Sequence, residues 1–206
     1  MSPVRLLLVR HAQSEWNADG RWQGQEDPPL SELGEQQAAA AAERVGAFDA
    51  IVASPLDRAA HTAAILAEAT GVGPVLLDEA LMERNAGEWQ GLTRDEIEEQ
   101  YPGHLDDRRR PPSWEPDEQL LERLNAVLEK IAGVFEGRGV MDAEVLVLTH
   151  GGAIYVLEDQ LGVPAGRIPN LGGRWVERAP GGGWKAGERV VLIDPDDAAA
   201  TTPNQI

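Results

Sequence analysis

Val4-Arg5-Leu6-Leu7-Leu8-Val9-Arg10-His11 passes from an apolar run directly into two basic residues. The run predicts a short buried strand, and the change of polarity predicts that Arg10 and His11 stand at its carboxyl end. A polar loop dense in Gly, Asn, Asp and Trp follows as far as Pro29. Ser31, with Glu32 and Glu35 behind it, reads as an N-cap and predicts an Ala-rich helix to about Ala47. Ala50-Ile51-Val52-Ala53 predicts a second strand. Ser54-Pro55 predicts the start of a second helix that ends near Gly71, and Val75-Leu76-Leu77 predicts a third strand.

Further along, a short helix is expected near Arg94 to Gln100, followed by the charged, Pro-rich loop Arg108-Arg109-Arg110-Pro111-Pro112. Asp117 to about Gly137 predicts a long amphipathic helix with Leu120, Leu121, Leu124, Val127, Leu128, Ile131 and Val134 on its apolar side. Glu144 to Thr149 is the clearest strand, with a helix from Gly152 to Leu161 after it. Trp175 to Arg178 and Arg189 to Ile193 predict a terminal hairpin around Gly181-Gly182-Gly183. Strands alternating with helices imply an α/β fold with a largely parallel sheet. No repeat or internal linker interrupts the pattern, so one domain is expected over residues 1–206, with 194–206 a loosely ordered tail.

In open sheets of this kind a ligand binds beyond the carboxyl ends of the strands. Arg10-His11 follows the first strand, Ser54 to Arg58 the second, and His150-Gly151-Gly152 the fourth. One sheet edge is therefore expected to collect two of the chain's four histidines and two arginines.

The formal net charge of −17 argues against a nucleic-acid partner, whose interfaces need a basic stripe. An acidic chain that handles phosphate must concentrate its positive charge locally. Of its eighteen basic residues only Lys130 and Lys185 are lysines, and arginine is the better bidentate partner for phosphate. Cysteine is absent, which removes disulfides, a thiolate nucleophile and Cys-type zinc sites. No apolar run is long enough to span a bilayer, and Met1-Ser2-Pro3 leads straight into the first strand without a signal-peptide pattern. A cytoplasmic address is expected, with no membrane partner. No closely spaced metal ligands are visible, so neither a metal nor another cofactor is expected.

Leu8-Val9-Arg10-His11-Ala12-Gln13-Ser14-Glu15-Trp16-Asn17 resembles the signature of the histidine phosphatase superfamily, also called phosphoglycerate mutase-like. The likeness continues through Gln23-Gly24-Gln25, Pro29 to Ala38, Ser54 to Ala63, Leu81-Met82-Glu83-Arg84 with Gly87 to Leu92, and Leu148 to Gly152. Five motifs in order are highly specific. The resemblance implies a three-layer α/β/α sandwich and a metal-independent phosphomonoesterase. His11 would be the nucleophile that carries a phosphohistidine, and Arg10, Arg58 and His150 would surround the phosphoryl oxygens. Asn17, Gln23, Gly24 and Gly151 would line the phosphate and substrate site. Glu83 would be the acid that protonates the leaving oxygen and then activates water. A phosphohistidine needs its other ring nitrogen tied to a fixed acceptor, which the sequence does not identify.

Two positions depart from the usual pattern. Ala12 stands where Gly is commonest, and Gln119 stands where many relatives carry a small hydroxyl residue. The alternatives to a phosphatase are a cofactor-dependent phosphoglycerate mutase, which resembles longer chains with a basic insertion after the Glu motif, and a non-catalytic phospholigand-binding module. Within the superfamily the chain most resembles the short bacterial phosphatases, which act on small phosphorylated metabolites; a homodimer is plausible. Elsewhere, His61 is expected to be on the surface of its helix or half-buried there, and His104 to face solvent. Arg108 to Arg110 form either a solvated loop or a lid for anions, and Trp16, Trp22 and Trp114 belong either to a pocket wall or to the core.

Overall fold

The computed structural model describes residues 4–140, 142–164 and 166–194. The first strand, β1 (Arg5–Arg10), ends on Arg10 as the polarity change predicts. Helices α1 (Glu15–Ala18) and α2 (Glu32–Ala42) follow, then β2 (Ala50–Ala53), α3 (Asp57–Thr70) and the two-residue strand β3 (Leu76–Leu77). Helix α4 (Arg94–Gln100), the long helix α5 (Asp117–Glu136), β4 (Glu144–Thr149), α6 (Gly151–Gln160), β5 (Gly172–Arg178) and β6 (Trp184–Val191) complete the order.

The six strands form one sheet in the order β3-β2-β4-β1-β5-β6. β3, β2, β4 and β1 run parallel, while β5 and β6 are antiparallel. Alternate residues of each central strand feed opposite layers, because successive side chains of a strand point to opposite faces. Leu6, Leu8, Val145 and Val147 pack with Leu120, Leu124 and Leu128 of α5 and Ile154 of α6. Leu7, Val9, Leu146 and Leu148 pack with Ala38 and Ala41 of α2 and Ala63 and Leu66 of α3. The fold is the expected three-layer sandwich.

Several boundaries differ from the sequence expectation. The Ala-rich helix stops at Ala42 rather than Ala47, because Val45 and Phe48 turn in against the second core layer. Helix α3 begins at Asp57 rather than at Pro55: the Ser54 hydroxyl accepts the Leu56 N–H at 3.3 Å and holds a turn first. Val134 is 46% exposed, and the stripe continues instead through Phe135, which packs against the first core layer. The hairpin strands are longer than predicted, and β6 begins at Trp184 rather than Arg189. Glu177, Lys185 and Arg189 interrupt the apolar alternation of these half-exposed strands, so their pairing is invisible to periodicity. The expected loose tail falls outside the described residues from 195 onward; its first residue, Asp194, is described and pairs with Arg44 at 2.7 Å.

Candidate active site

The chain crosses from one side of β1 to the other at the carboxyl ends of β1, β2 and β4, and the polar residues collect there. Arg10, His11, Arg58, Glu83, Gln23, Gly24 and Gly151 all line one cavity of about 630 Å³. His150 lies behind them, fully buried, with its ring centroid 5.2 Å from that of His11 in an edge-to-face arrangement.

His11 is 2% exposed, and its Nδ1 lies 2.6 Å from the carbonyl oxygen of Ala12. A carbonyl can only accept, so Nδ1 carries the proton and Nε2 keeps its lone pair. This is the fixed acceptor that the sequence could not supply. Ala12 is itself pinned, since its N–H donates to Thr62 Oγ1 at 3.2 Å. It is not among the residues with positive φ, so alanine in place of glycine is unstrained, and its methyl packs in the core.

The two arginines are anchored by backbone carbonyls. Arg10 donates from Nη1 to Ile168 O at 2.9 Å. Arg58, fully buried, donates to Gly24 O and Glu26 O, both at 2.8 Å, and its Nε has no partner among the described residues. Gly24 adopts φ +54 with the Gln90 side chain 2.2 Å from where a Cβ would stand, so only glycine brings this carbonyl to Arg58. Burial pulls Arg58 down to about 10, partly offset by Glu83 and Asp27, so it stays charged at neutral pH. Arg10 is also lowered by burial, against the pull of Tyr155 and Glu83.

His150 Nε2 lies 2.9 Å from Ser54 Oγ. That hydroxyl also accepts the Leu56 N–H, so one serine ties the His150 ring to the start of the turn before α3. Nδ1 is buried and has no partner among the described residues. The Glu83 carboxylate sits at the amino end of α6, where Oε2 accepts the Gly152 N–H at 3.0 Å and Oε1 the Arg84 N–H at 2.7 Å.

Both histidines are held well below their ordinary 6.5, first by burial and then by the charge of Arg58. The unfolded chain therefore binds more protons than the folded one below pH 6.5. The fold is expected to lose stability as pH falls through 6.5, by up to about 1.4 kcal/mol per pH unit for each ring, and to be free of this penalty above it. Melting temperature followed from pH 7.5 to 5 checks this; a slope no steeper in the native chain than in His11→Ala would contradict it.

A sequence match to the histidine phosphatase superfamily (branch 1) spans residues 6–175. The chain belongs to this superfamily. It is 38% identical over 189 residues to a glucosyl-3-phosphoglycerate phosphatase of Mycolicibacterium vanbaalenii, an alignment that covers 85% of this chain and 84% of the relative. It is 40% identical over 140 residues to phosphoserine phosphatase 1 of Hydrogenobacter thermophilus, covering 65% and 63% of the two chains. A mycobacterial glucosyl-3-phosphoglycerate phosphatase solved with VO3 superposes with a TM-score of 0.78 at 32% identity, over 89% of this chain and 97% of that one. This histidine phosphatase is accordingly an enzyme, a phosphatase.

Asn17 is fully buried but does not line the cavity. Its Oδ1 accepts from Ser14 N at 3.3 Å and from Asn170 Nδ2 at 3.1 Å, and it closes the capping box of α1. Gln23 lines the cavity and accepts from Ser14 Oγ at 2.7 Å. Gln119 lies away from the cavity, in a separate hollow with Gln25 and Ser113. Glu88 accepts from the Tyr101 hydroxyl and stays outside the site. His61 is half-buried as expected, whereas His104 is not solvent-facing: it is half-buried with its ring 5.5 Å from that of Tyr101. Trp22 and Trp114 line the cavity; Trp16 does not.

The sequence reading named the Arg84 to Trp114 region as pocket wall, and Arg84 and Trp114 do line the cavity, but it missed Asn170, Ile168 and Arg123. Asn170 donates to His11 O at 2.9 Å, and the Arg123 guanidinium holds the carbonyls of Ala80, Met82 and Glu83. The backbone carbonyls they hold, or in the case of Ile168 the arginine it anchors, lie 40 to 159 positions away along the chain, a separation at which no local pattern signals contact.

Proposed function

We propose that the chain is a cytoplasmic, metal-independent phosphomonoester hydrolase that passes the phosphoryl group of a small metabolite to His11 and then to water. The observation that carries this reading is the His11 ring itself, with Nδ1 bonded to Ala12 O and Nε2 left as a neutral nucleophile. Nε2 attacks phosphorus as the ester P–O bond breaks, and the protonated Glu83 gives its proton to the departing oxygen. The Glu83 carboxylate next takes a proton from water. The resulting hydroxide attacks phosphorus, and the P–N bond electrons return to Nε2.

Charge on the equatorial oxygens needs fixed donors and positive charge; Arg10 and Arg58 supply both, and the neutral His150 ring adds an N–H donor. The guanidiniums supply positive charge where other phosphatases use a metal ion, and their carbonyl anchors hold them before substrate arrives. The cysteine-free composition accords with a cytoplasmic address. Asn17 acts from behind, through Ser14 and Asn170, to hold the loop that follows His11.

The relatives are named for glucosyl-3-phosphoglycerate and phosphoserine, each a phosphate ester of a carboxylic acid. Substrates of that kind are proposed here. Phosphate release from a panel of phosphomonoesters with excess chelator present tests the reading. Chelator-resistant turnover is expected, and turnover that stops with chelator and returns with a divalent cation would overturn the metal-independent route.

A further inference from the structure

The cavity that holds His11 extends to a second cationic group, on the loop that follows α4. Arg110 lines this cavity together with Arg84, Trp22 and Trp114. Its guanidinium carbon lies 4.7 Å from the ring centroid of Trp114 and 5.8 Å from that of Trp89. These rings form a packed wall, for Trp22, Trp89 and Trp114 have centroids 5.3 to 5.9 Å apart.

The loop is fixed to its neighbour rather than hanging free. An antiparallel bridge joins Ala86 to Trp114, and a Cβ on Gly87 would stand 2.2 Å from Pro112 O. Arg110 is therefore placed by its backbone and by the aromatic face beneath it.

The polar partners are shared unequally. Arg84 is satisfied: Nη1 donates to Glu115 O at 2.5 Å, and Nη2 pairs with Asp117 at 2.6 Å. Among the described residues nothing accepts a hydrogen bond from the Arg110 guanidinium. Its neighbours Arg108 and Arg109 point elsewhere: Arg109 pairs with Asp107 at 2.9 Å, and neither lines the cavity. The run of three arginines is thus neither a uniform lid nor wholly solvated.

Burial and the nearby Arg84 and Arg108 charges both act against the Arg110 cation, with only Asp117 opposing them. Arg84 and Arg110 both lie over the Trp114 ring, and Asp117 pairs with Arg84, which leaves the Arg110 charge for an anion to meet.

We propose that Arg110, stacked on Trp114, is a second anion subsite that reads the carboxylate of the substrate while His11 and its arginines hold the phosphate. The inference rests on the phosphatase reading of the same cavity. A planar guanidinium with its donors open offers a bidentate fit to carboxylate, and the indole face fixes its plane.

The test compares kcat/KM within two pairs of substrates that differ by the carboxylate: 3-phosphoglycerate against glycerol 3-phosphate, and phosphoserine against phosphoethanolamine. At low ionic strength the native enzyme is expected to favour the carboxylate member of each pair. In Arg110→Gln that preference is expected to fall at least tenfold, chiefly through KM, and Arg110→Lys to recover part of it. Arg109→Gln is the control and is expected to leave the ratio as it was. An Arg110→Gln ratio within threefold of native, or an equal loss from Arg109→Gln, would overturn the subsite while leaving the phosphatase standing. Failure of the native protein to release phosphate from all four compounds would overturn the phosphatase reading and the subsite with it.

Discussion

His11→Ala is expected to lower kcat/KM on every phosphomonoester by at least ~10⁴-fold, and the variant is expected to accept no covalent phosphoryl group in a single-turnover quench. The magnitude follows from the arrangement of the site. Covalent transfer requires a lone pair on a neutral ring, and Ala12 O, by taking the Nδ1 proton at 2.6 Å, keeps that lone pair on His11 Nε2. Among the described residues the imidazole that packs against His11 is His150, whose centroid is 5.2 Å away. Its Nε2 is engaged with Ser54 Oγ and its Nδ1 is buried, and the ring does not line the cavity, so it is not presented to phosphorus as His11 is. The remaining phosphate donors still bind, so His11→Ala is expected to retain affinity for phosphate in titration calorimetry while losing turnover. Circular dichroism melting at pH 7.5 serves as the folding control. More than one per cent residual activity, or an acid-labile phosphoryl adduct on the variant, would show that a different nucleophile carries the reaction.

The parts of this site that could be read in the sequence are those that follow strands. Arg10-His11 and His150-Gly151-Gly152 each stand where an apolar run ends, and a parallel sheet brings such ends together whatever the helices between them do. The same logic makes the β1, β2 and β4 layers legible, since Leu6 to Val9 and Val145 to Leu148 divide alternately between the two cores. What stayed hidden are contacts whose partners are backbone atoms. Arg10 is aimed by Ile168 O and Arg58 by Gly24 O and Glu26 O, and any residue type could supply a carbonyl. Identical residues can also take different roles. Arg109 and Arg110 are neighbours in the chain, yet one pairs with Asp107 and the other stacks on Trp114, a difference set by the turn that ends at Arg108 and by the Ala86–Trp114 bridge. The hairpin was misjudged for a third reason: a half-exposed edge accepts Lys and Arg where a central strand would not.

The second large effect expected is a dependence on the leaving group that links Glu83 to Arg123. Alkyl phosphates release a strongly basic alkoxide and need a proton in the transition state; p-nitrophenyl phosphate releases a stable phenolate and does not. Glu83→Gln is therefore expected to lower kcat/KM by about 10²- to 10⁴-fold on an alkyl phosphate and by less than tenfold on p-nitrophenyl phosphate. The constant kcat/KM is the one to compare, because it reports the first transfer to His11 and excludes the later hydrolysis of phosphohistidine. Glu83 owes its position to groups well outside the cavity. Arg123 on α5 donates to the carbonyls of Ala80, Met82 and Glu83 at 2.9, 2.6 and 2.9 Å, and it is itself held by both oxygens of Glu115 at 2.7 and 2.9 Å. A site carboxylate displaced by even an ångström loses its line to the leaving oxygen. Arg123→Met is accordingly expected to show the same leaving-group bias as Glu83→Gln at smaller size, ~10- to 100-fold on the alkyl ester. Combined with Glu83→Gln, it is expected to add little further bias. Gly152→Ala approaches the same carboxylate from the opposite side, because its Cβ would stand 2.4 Å from Glu83 Oε1, and the bias is expected there too. If Arg123→Met instead lowered both esters equally, its role would be confined to holding α5 against the loop before Glu83, with no part in aiming the proton.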